Sequence, residues 1–174
     1  GCADDGERFG FFSRAVVKML DHLDFWPDVI HCNDWQTALI PIYLKDDGVR
    51  EERYRSVRTV LTIHNIEYQG RYDPYCLGGL FGLDRGWVDD GTLLLDGDLN
   101  LLKGAILTAD AVNAVSPTYA QELKNPYFAH RMEGILTQCG YKLSGVLNGI
   151  DMKLYDPAAD PRIAANYTAE NISG

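Results

Sequence analysis

Apolar residues recur at three- and four-residue spacing in the first segment of the chain, the pattern of an amphipathic helix. These positions are Phe9, Phe12, Val16, Met19, Leu20 and Leu23. Trp26-Pro27 follow, and proline disfavours helical geometry in the residue before it. The pattern therefore predicts a helix over residues 7–24.

Four later segments have the composition of short buried strands, because β-branched and aliphatic residues dominate them. They are 29–32 (VIHC), 59–63 (TVLTI), 111–115 (AVNAV) and 143–147 (LSGVL). Helical patterns separate these segments, and alternating strands and helices favour a parallel sheet with right-handed crossovers. The predicted fold class is α/β, a Rossmann-like parallel sheet with flanking helices.

Helix starts and a long connection complete the predicted layout. Asn33-Asp34 should cap a helix with a stripe from Trp35 to Tyr43, Asp98 should cap a helix through Leu107, and Ser116-Pro117 should start another. Gly, Asp, Tyr and Pro are frequent over residues 67–97, which predicts a long, partly helical excursion of the kind that is often functional.

The composition of the chain excludes several classes of function. Of 174 residues, 46% are hydrophobic and 24% charged, which is typical of a packed globular chain. The formal net charge of −9 argues against nucleic acid and against an anionic membrane as main partners. The four cysteines show no metal-binding spacing, so reduced thiols and a cytosolic setting are expected. No phosphate-binding glycine loop follows any predicted strand.

Each predicted strand ends in polar residues. They are His31, Asn33 and Asp34, then His64 and Asn65, then Ser116, and finally Asn148 with Gly149. In parallel sheets ligands bind just beyond the carboxyl ends of the strands, so these residues should converge on one edge. The sequence therefore predicts a binding site there.

Simpler explanations stand beside the functional one. Asp34 and Ser116 are also good helix N-caps, and Asn148-Gly149 is a common turn dipeptide. We expect His31 to be a hydrogen-bonded core histidine, His22 and His130 to be solvated, and Tyr119 and Tyr127 to pack. A metal site from His31, Asp34 and His64 remains an alternative, although no metal-binding motif supports it.

Five motifs in this order resemble the bacterial glycogen synthase and plastid starch synthase family. They are PDVIHCNDWQTALIPIYLK (27–45), TVLTIHNIEYQGRYDP (59–74), LNLLKGAILTADAVNAVSPTYAQEL (99–123), MEGILTQ (132–138) and LSGVLNGIDMKLYDPAADPRIAANY (143–167). One departure is Cys32-Asn33, where many relatives have small or histidine residues.

The resemblance implies a retaining glycosyltransferase with two Rossmann-like halves, the GT-B architecture. This chain would be an incomplete N-terminal, acceptor-side half: 1–155 the latter part of that catalytic domain, and 156–174 a tail leading toward the interdomain region. The complete enzyme would transfer glucose from ADP-glucose to the non-reducing end of an α-1,4-glucan, with no cofactor or metal. Its partners would be the glucan, the nucleotide sugar and its own C-terminal domain. It would work in the bacterial cytoplasm or in a plastid.

The same resemblance assigns site residues. His64 matches the histidine that contacts the transferred glucose, and is the expected catalytic residue. The expected substrate-binding residues are Asp34, Trp35, Asn65, Tyr68, Gln69, Asn148, Glu133 and Gly134. The isolated chain is expected to be inactive, because the resemblance assigns the cationic groups for the diphosphate to the other half. The alternative function is a non-catalytic carbohydrate-binding or regulatory α/β module.

Overall fold

The computed structural model describes residues 2–172. Its α-helices are α1 (Asp5–Met19), α2 (Leu39–Arg50), α3 (Cys76–Phe81), α4 (Gly86–Asp89), α5 (Leu101–Thr108), α6 (Pro117–Glu122) and α7 (Glu133–Gln138). Its strands are β1 (Val29–Asn33), β2 (Arg58–Ile63), β3 (Arg71–Tyr72), β4 (Leu94–Leu95), β5 (Asp98–Asn100), β6 (Ala111–Ala114) and β7 (Leu143–Gly145). Short 3₁₀ turns occupy Leu20–His22, Trp35–Thr37 and Glu52–Ser56.

The four predicted strands form one parallel sheet in the order β1-β2-β6-β7, flanked by helices, so the α/β prediction is confirmed. Alternate strand residues enter the apolar core with the helices: Cys32, Leu61 and Ala114 are fully buried. The intervening residues of β1, including His31 and Asn33, are exposed. The sheet therefore has one deeply buried face and one face with polar, accessible positions.

The excursion after β2 contains the predicted helical pieces, α3 and α4, and also a second sheet. This sheet is antiparallel and three-stranded, in the order β3-β5-β4. Strands of two or three residues are too short to show an alternating pattern, so no pattern in the sequence indicated them.

One of the three predicted helix caps is confirmed. The Ser116 hydroxyl accepts hydrogen bonds from the backbone N–H groups of Thr118 and Tyr119, with Pro117 in the first helical turn. The Asp98 prediction is wrong, because Asp98 begins β5. The residue that caps α5 is Asn100, whose Oδ1 accepts from the Lys103 N–H at 2.9 Å.

The first helix begins at Asp5 and passes into the 3₁₀ turn Leu20–His22, close to the predicted range. His22 and His130 are exposed as expected, whereas Tyr127 is 84% exposed and does not pack in the core. None of the helices among residues 2–172 is long and apolar enough to span a membrane.

The predicted tail, 156–174, is described as far as Ile172, and its last two residues lie outside the described part. From Asp156 to Ile172 it contains no helix or strand and is mostly exposed. The boundary at residue 155 stays a prediction.

Candidate functional site at the carboxyl edge of the sheet

The residues that follow β1 and β2 meet at the carboxyl edge of the parallel sheet. The His64 backbone N–H donates to Asp34 Oδ1 at 2.7 Å, and His64 Nε2 lies 3.0 Å from Asn33 Oδ1. Parallel pairing of β1 with β2 produces this meeting, because Asn33 is in register with Thr62, two residues before His64. The predicted convergence of Asp34 and His64 is therefore observed.

Asp34 has a strained backbone, with φ 56° and ψ −173°. Glycine is nearly the only residue that adopts this region without strain, and another residue there costs about 1–3 kcal/mol. Asp34 makes no side-chain capping bond to the turn that follows, and α2 begins only at Leu39. The expectation that Asn33-Asp34 caps a helix is therefore wrong, and the Asp34 carboxylate binds the His64 backbone instead.

Side-chain hydrogen bonds to backbone N–H groups hold the segment that begins with His64. The phenol oxygen of Tyr119, on α6, accepts from the Ile66 N–H at 3.1 Å, and Asn65 Oδ1 accepts from the Glu67 N–H at 2.9 Å. Burial raises the pKa of Tyr119, and the nearby Asp34 carboxylate raises it further. His64, Asn65 and Tyr68 remain exposed at the edge, and Tyr68 is 59% exposed.

Gln69 has internal partners for its whole amide group. It is 6% exposed, its Nε2 donates to the carbonyls of Ile66 and His130, and its Oε1 accepts from Asn100 Nδ2 at 2.7 Å. The amide therefore joins three segments around the site, and presents no free hydrogen-bonding group at the surface.

Trp35 lies in the core beneath the edge. It is 9% exposed, and its ring packs edge-on against Phe9 at 5.1 Å and lies 6.3 Å from Tyr72. Gly70 crosses directly over the indole with φ 63°, and a Cβ there would lie 2.5 Å from Trp35 Cε3. The indole thus supports the Asp34 turn from the inside, and little of its surface is accessible to a substrate.

Glu133 and Gly134 open the short helix α7. Glu133 Oε2 is buried and has no hydrogen-bond partner among residues 2–172, whereas Gly134 is exposed. Two residues with positive φ, His130 and Arg131, precede this helix. The bond from Gln69 to the His130 carbonyl ties this strained turn to the His64 segment.

Asn148 follows β7 and is exposed in a stretch without regular secondary structure. The Val146 N–H donates to the Ala114 carbonyl at 2.9 Å, which continues the pairing of this segment with β6 past the end of β7. Asn148 therefore emerges from the same end of the sheet as His64, and its side chain makes no hydrogen bond within the described part of the chain.

His31 is exposed on the accessible sheet face, so the expectation of a core histidine is wrong. Its Nε2 lies 2.6 Å from Thr62 Oγ1, and the Thr62 hydroxyl donates to Asn113 Oδ1 at 2.6 Å. His31, Asp34 and His64 do not bring their donor atoms together as ligands of one ion. Among residues 2–172 only Cys2, Asp4 and Asp5 bring their donor atoms together in this way.

Two contributors had no assigned role in the site: Asn33, which was among the strand-end residues expected to converge and contacts the His64 ring, and Tyr119, which was expected only to pack and binds the Ile66 backbone. Asn33 stands next to Asp34 at a strand end, and that position was its available signal. The edge as a whole offers a carboxylate, an imidazole and amides in accessible positions. Such groups bind sugar hydroxyls well, since hydroxyls both donate and accept.

An α/β chain whose polar residues gather beyond the carboxyl ends of parallel strands is a Rossmann-like ligand-binding protein. A model of the starch synthase catalytic domain family matches residues 1–138, and the chain belongs to that family. The fold corresponds to the N-terminal part of a GT-B starch synthase.

Individual relatives agree with this assignment. The glycogen synthase of Lactiplantibacillus plantarum is 49% identical over 99% of this chain, and that of Lactobacillus acidophilus is 45% identical over the same share. The solved catalytic domain of starch synthase IV from Arabidopsis thaliana, bound to ADP and acarbose, matches 98% of the chain with a TM-score of 0.81 and 36% identity. The chain spans 36% of the length of each of these two glycogen synthases and 35% of that solved chain.

Proposed function

We propose that this chain forms the acceptor-side part of a retaining glucan synthase. The complete enzyme transfers glucose from ADP-glucose to the 4-hydroxyl at the non-reducing end of an α-1,4-glucan. Support comes from family membership and from a solved relative that is bound to ADP and acarbose. Bacterial relatives and four free cysteines favour the cytoplasm as its location.

One observation carries the proposal for the site: Asp34 sits in a strained backbone conformation while its carboxylate binds the His64 N–H. Strain of this kind persists only where surrounding contacts enforce it, and it concentrates at functional sites. It occurs where the family resemblance expects the transferred glucose to lie. We assign His64 to contact that glucose, and Asp34 to hold sugar hydroxyls with its remaining carboxylate oxygen.

The chemistry suits these side chains. The bond between the anomeric carbon and the diphosphate breaks, the bond to the acceptor 4-oxygen forms, and the hydroxyl proton leaves with the diphosphate. Positive charge builds up on the sugar ring in the transition state. Oriented neutral groups and a carboxylate stabilise that charge, whereas cations for the diphosphate belong to the other half of the enzyme.

The other residues have supporting roles in this proposal. Asn65, Tyr68, Asn148 and Gly134 offer exposed groups to the sugar or the glucan, and Glu133 offers a buried carboxylate oxygen that lacks a partner. Gln69 and Trp35 act through the backbone that they support, because their contacts are internal.

The test is glucosyl transfer from ADP-glucose to glycogen by the complete enzyme. His64→Ala should lower kcat about a hundredfold or more, with a much smaller change in donor KM, as when a transition-state contact is removed. The matched control is His22→Ala, an exposed histidine in the turn after α1, which should keep full activity. An unchanged kcat for His64→Ala would remove His64 from the mechanism. Glucan binding without any transfer would support the non-catalytic module.

A further inference from the structure

Asn33 lies directly beside the proposed catalytic histidine, although the family resemblance assigns it no role. It ends β1 on the accessible face of the sheet, and its Oδ1 is 3.0 Å from His64 Nε2.

The backbones of both residues are fixed independently of this contact. The Thr37 hydroxyl accepts a hydrogen bond from the Asn33 N–H at 2.6 Å and donates one to the Asn33 carbonyl at 2.8 Å. The His64 N–H is bound by Asp34 Oδ1. With both backbones held, the amide and the ring meet with little remaining freedom, so the contact defines the orientation of the ring.

The direction of this hydrogen bond determines which nitrogen of the His64 ring donates to Asn33. An amide oxygen only accepts, so His64 Nε2 carries a proton in this contact, and in the neutral ring Nδ1 is then the nitrogen that keeps its lone pair. Resting on the function proposed above, we propose that Asn33 is a positioning residue that presents His64 Nδ1 as an acceptor for a hydroxyl of the transferred glucose. Asn33 itself acts through the ring and does not contact the sugar.

A double-mutant cycle in the complete enzyme tests this coupling. Asn33→Ala should lower kcat about tenfold and leave donor KM within about twofold, because a small misorientation at the reacting sugar has a large effect on rate. In a His64→Ala background the same substitution should change kcat by less than about twofold. An undiminished effect in that background would overturn the proposal.

Two further variants separate positioning from general damage. Asn33→Asp keeps an accepting oxygen for His64 Nε2 but adds a negative charge that favours protonation of Nδ1, so its kcat should lie below that of the unmodified enzyme and above that of Asn33→Ala. A kcat equal to that of Asn33→Ala would mean that the accepting oxygen has no role. Asn125→Ala removes a similar exposed amide, which binds only the Tyr127 N–H, and should leave kcat unchanged.

The outcomes distinguish this proposal from the proposed function. If His64→Ala lowers kcat while Asn33→Ala does not, the positioning role is wrong and the function stands. If His64→Ala leaves transfer unchanged, the positioning role and the assignment of His64 are both wrong. If the unmodified enzyme transfers no glucose from ADP-glucose, the proposed function is wrong.

Discussion

Two aspartates bind the two ends of strand β2 in the same way but in different settings. At the amino end, Asp110 Oδ2 accepts from the Thr59 N–H at 2.8 Å. At the carboxyl end, Asp34 Oδ1 accepts from the His64 N–H at 2.7 Å. Asp110 also pairs with Arg58 at 2.7 Å and has no positive φ, whereas Asp34 has φ 56° and no ion pair within the described part of the chain.

The difference distinguishes a structural carboxylate from the carboxylate that we propose acts on the substrate. At the amino end, charge and hydrogen-bonding capacity are used within the protein, and the backbone is relaxed. At the carboxyl end, the backbone is strained, and one Asp34 carboxylate oxygen accepts no hydrogen bond from residues 2–172. Because the same residue type makes the same backbone bond at both ends, strain and unused capacity are the features that distinguish the candidate site.

The largest expected effect on stability is at the carboxyl end, through Gly70→Ala. The new Cβ would collide with the Trp35 ring at a position with φ 63°, so unfolding should become easier by about 2 kcal/mol or more. Gly79→Ala is the matched control, since nothing lies within 4 Å of a Cβ there. Denaturant unfolding of both variants measures the difference. Equal stability would show that the Trp35 layer beneath Asp34 is loosely packed.

A smaller effect should reveal the strain itself. Asp34→Gly and Asp34→Ala both remove the carboxylate, but only glycine relaxes at this φ and ψ. We expect the glycine variant to be more stable than the alanine variant by about 1 kcal/mol, the reverse of the usual order inside regular structure. Thermal melts of the pair provide the comparison. A more stable alanine variant would mean that the Asp34 backbone is not strained.

The smallest effect is a pH dependence at the amino end. Burial pushes the pKa of Asp110 upward, but hydrogen bonds from Thr59 and the Arg58 guanidinium outweigh it and hold the pKa below its usual range. A lowered carboxyl pKa stabilises the fold above the ordinary carboxyl pKa, and this contribution disappears as pH falls through the lowered value. The effect is modest, since the Asp110 side chain is 38% exposed.

Urea midpoints at neutral and acidic pH check this dependence. Asp110→Asn should show a smaller loss of stability on acidification than the unmodified chain. If both proteins lose the same amount of stability on acidification, Asp110 does not contribute to that loss.

The sequence was sufficient for the framework and for part of the site. Apolar strands followed by polar residues predicted the parallel sheet, and the convergence of Asp34 with His64 followed from parallel order alone. What Asp34 binds could not be predicted, because its partner is 30 residues away and both residues also suit local turns. The burial of Trp35 and the internal bonds of Gln69 likewise depend on contacts from segments distant in sequence.

The most direct test exchanges the two aspartates for asparagine in the complete enzyme. Asparagine keeps an oxygen for the backbone N–H in each case, but it removes the charge and replaces the second acceptor oxygen with an NH2 donor. Asp34→Asn should lower kcat about tenfold or more with little change in stability, since the proposed role of the carboxylate is to hold sugar hydroxyls. Asp110→Asn should keep kcat and lose less than about 1 kcal/mol of stability with its partly exposed ion pair. A fully active Asp34→Asn enzyme, or equal loss of activity in both variants, would contradict the assignment of the carboxyl edge as the site.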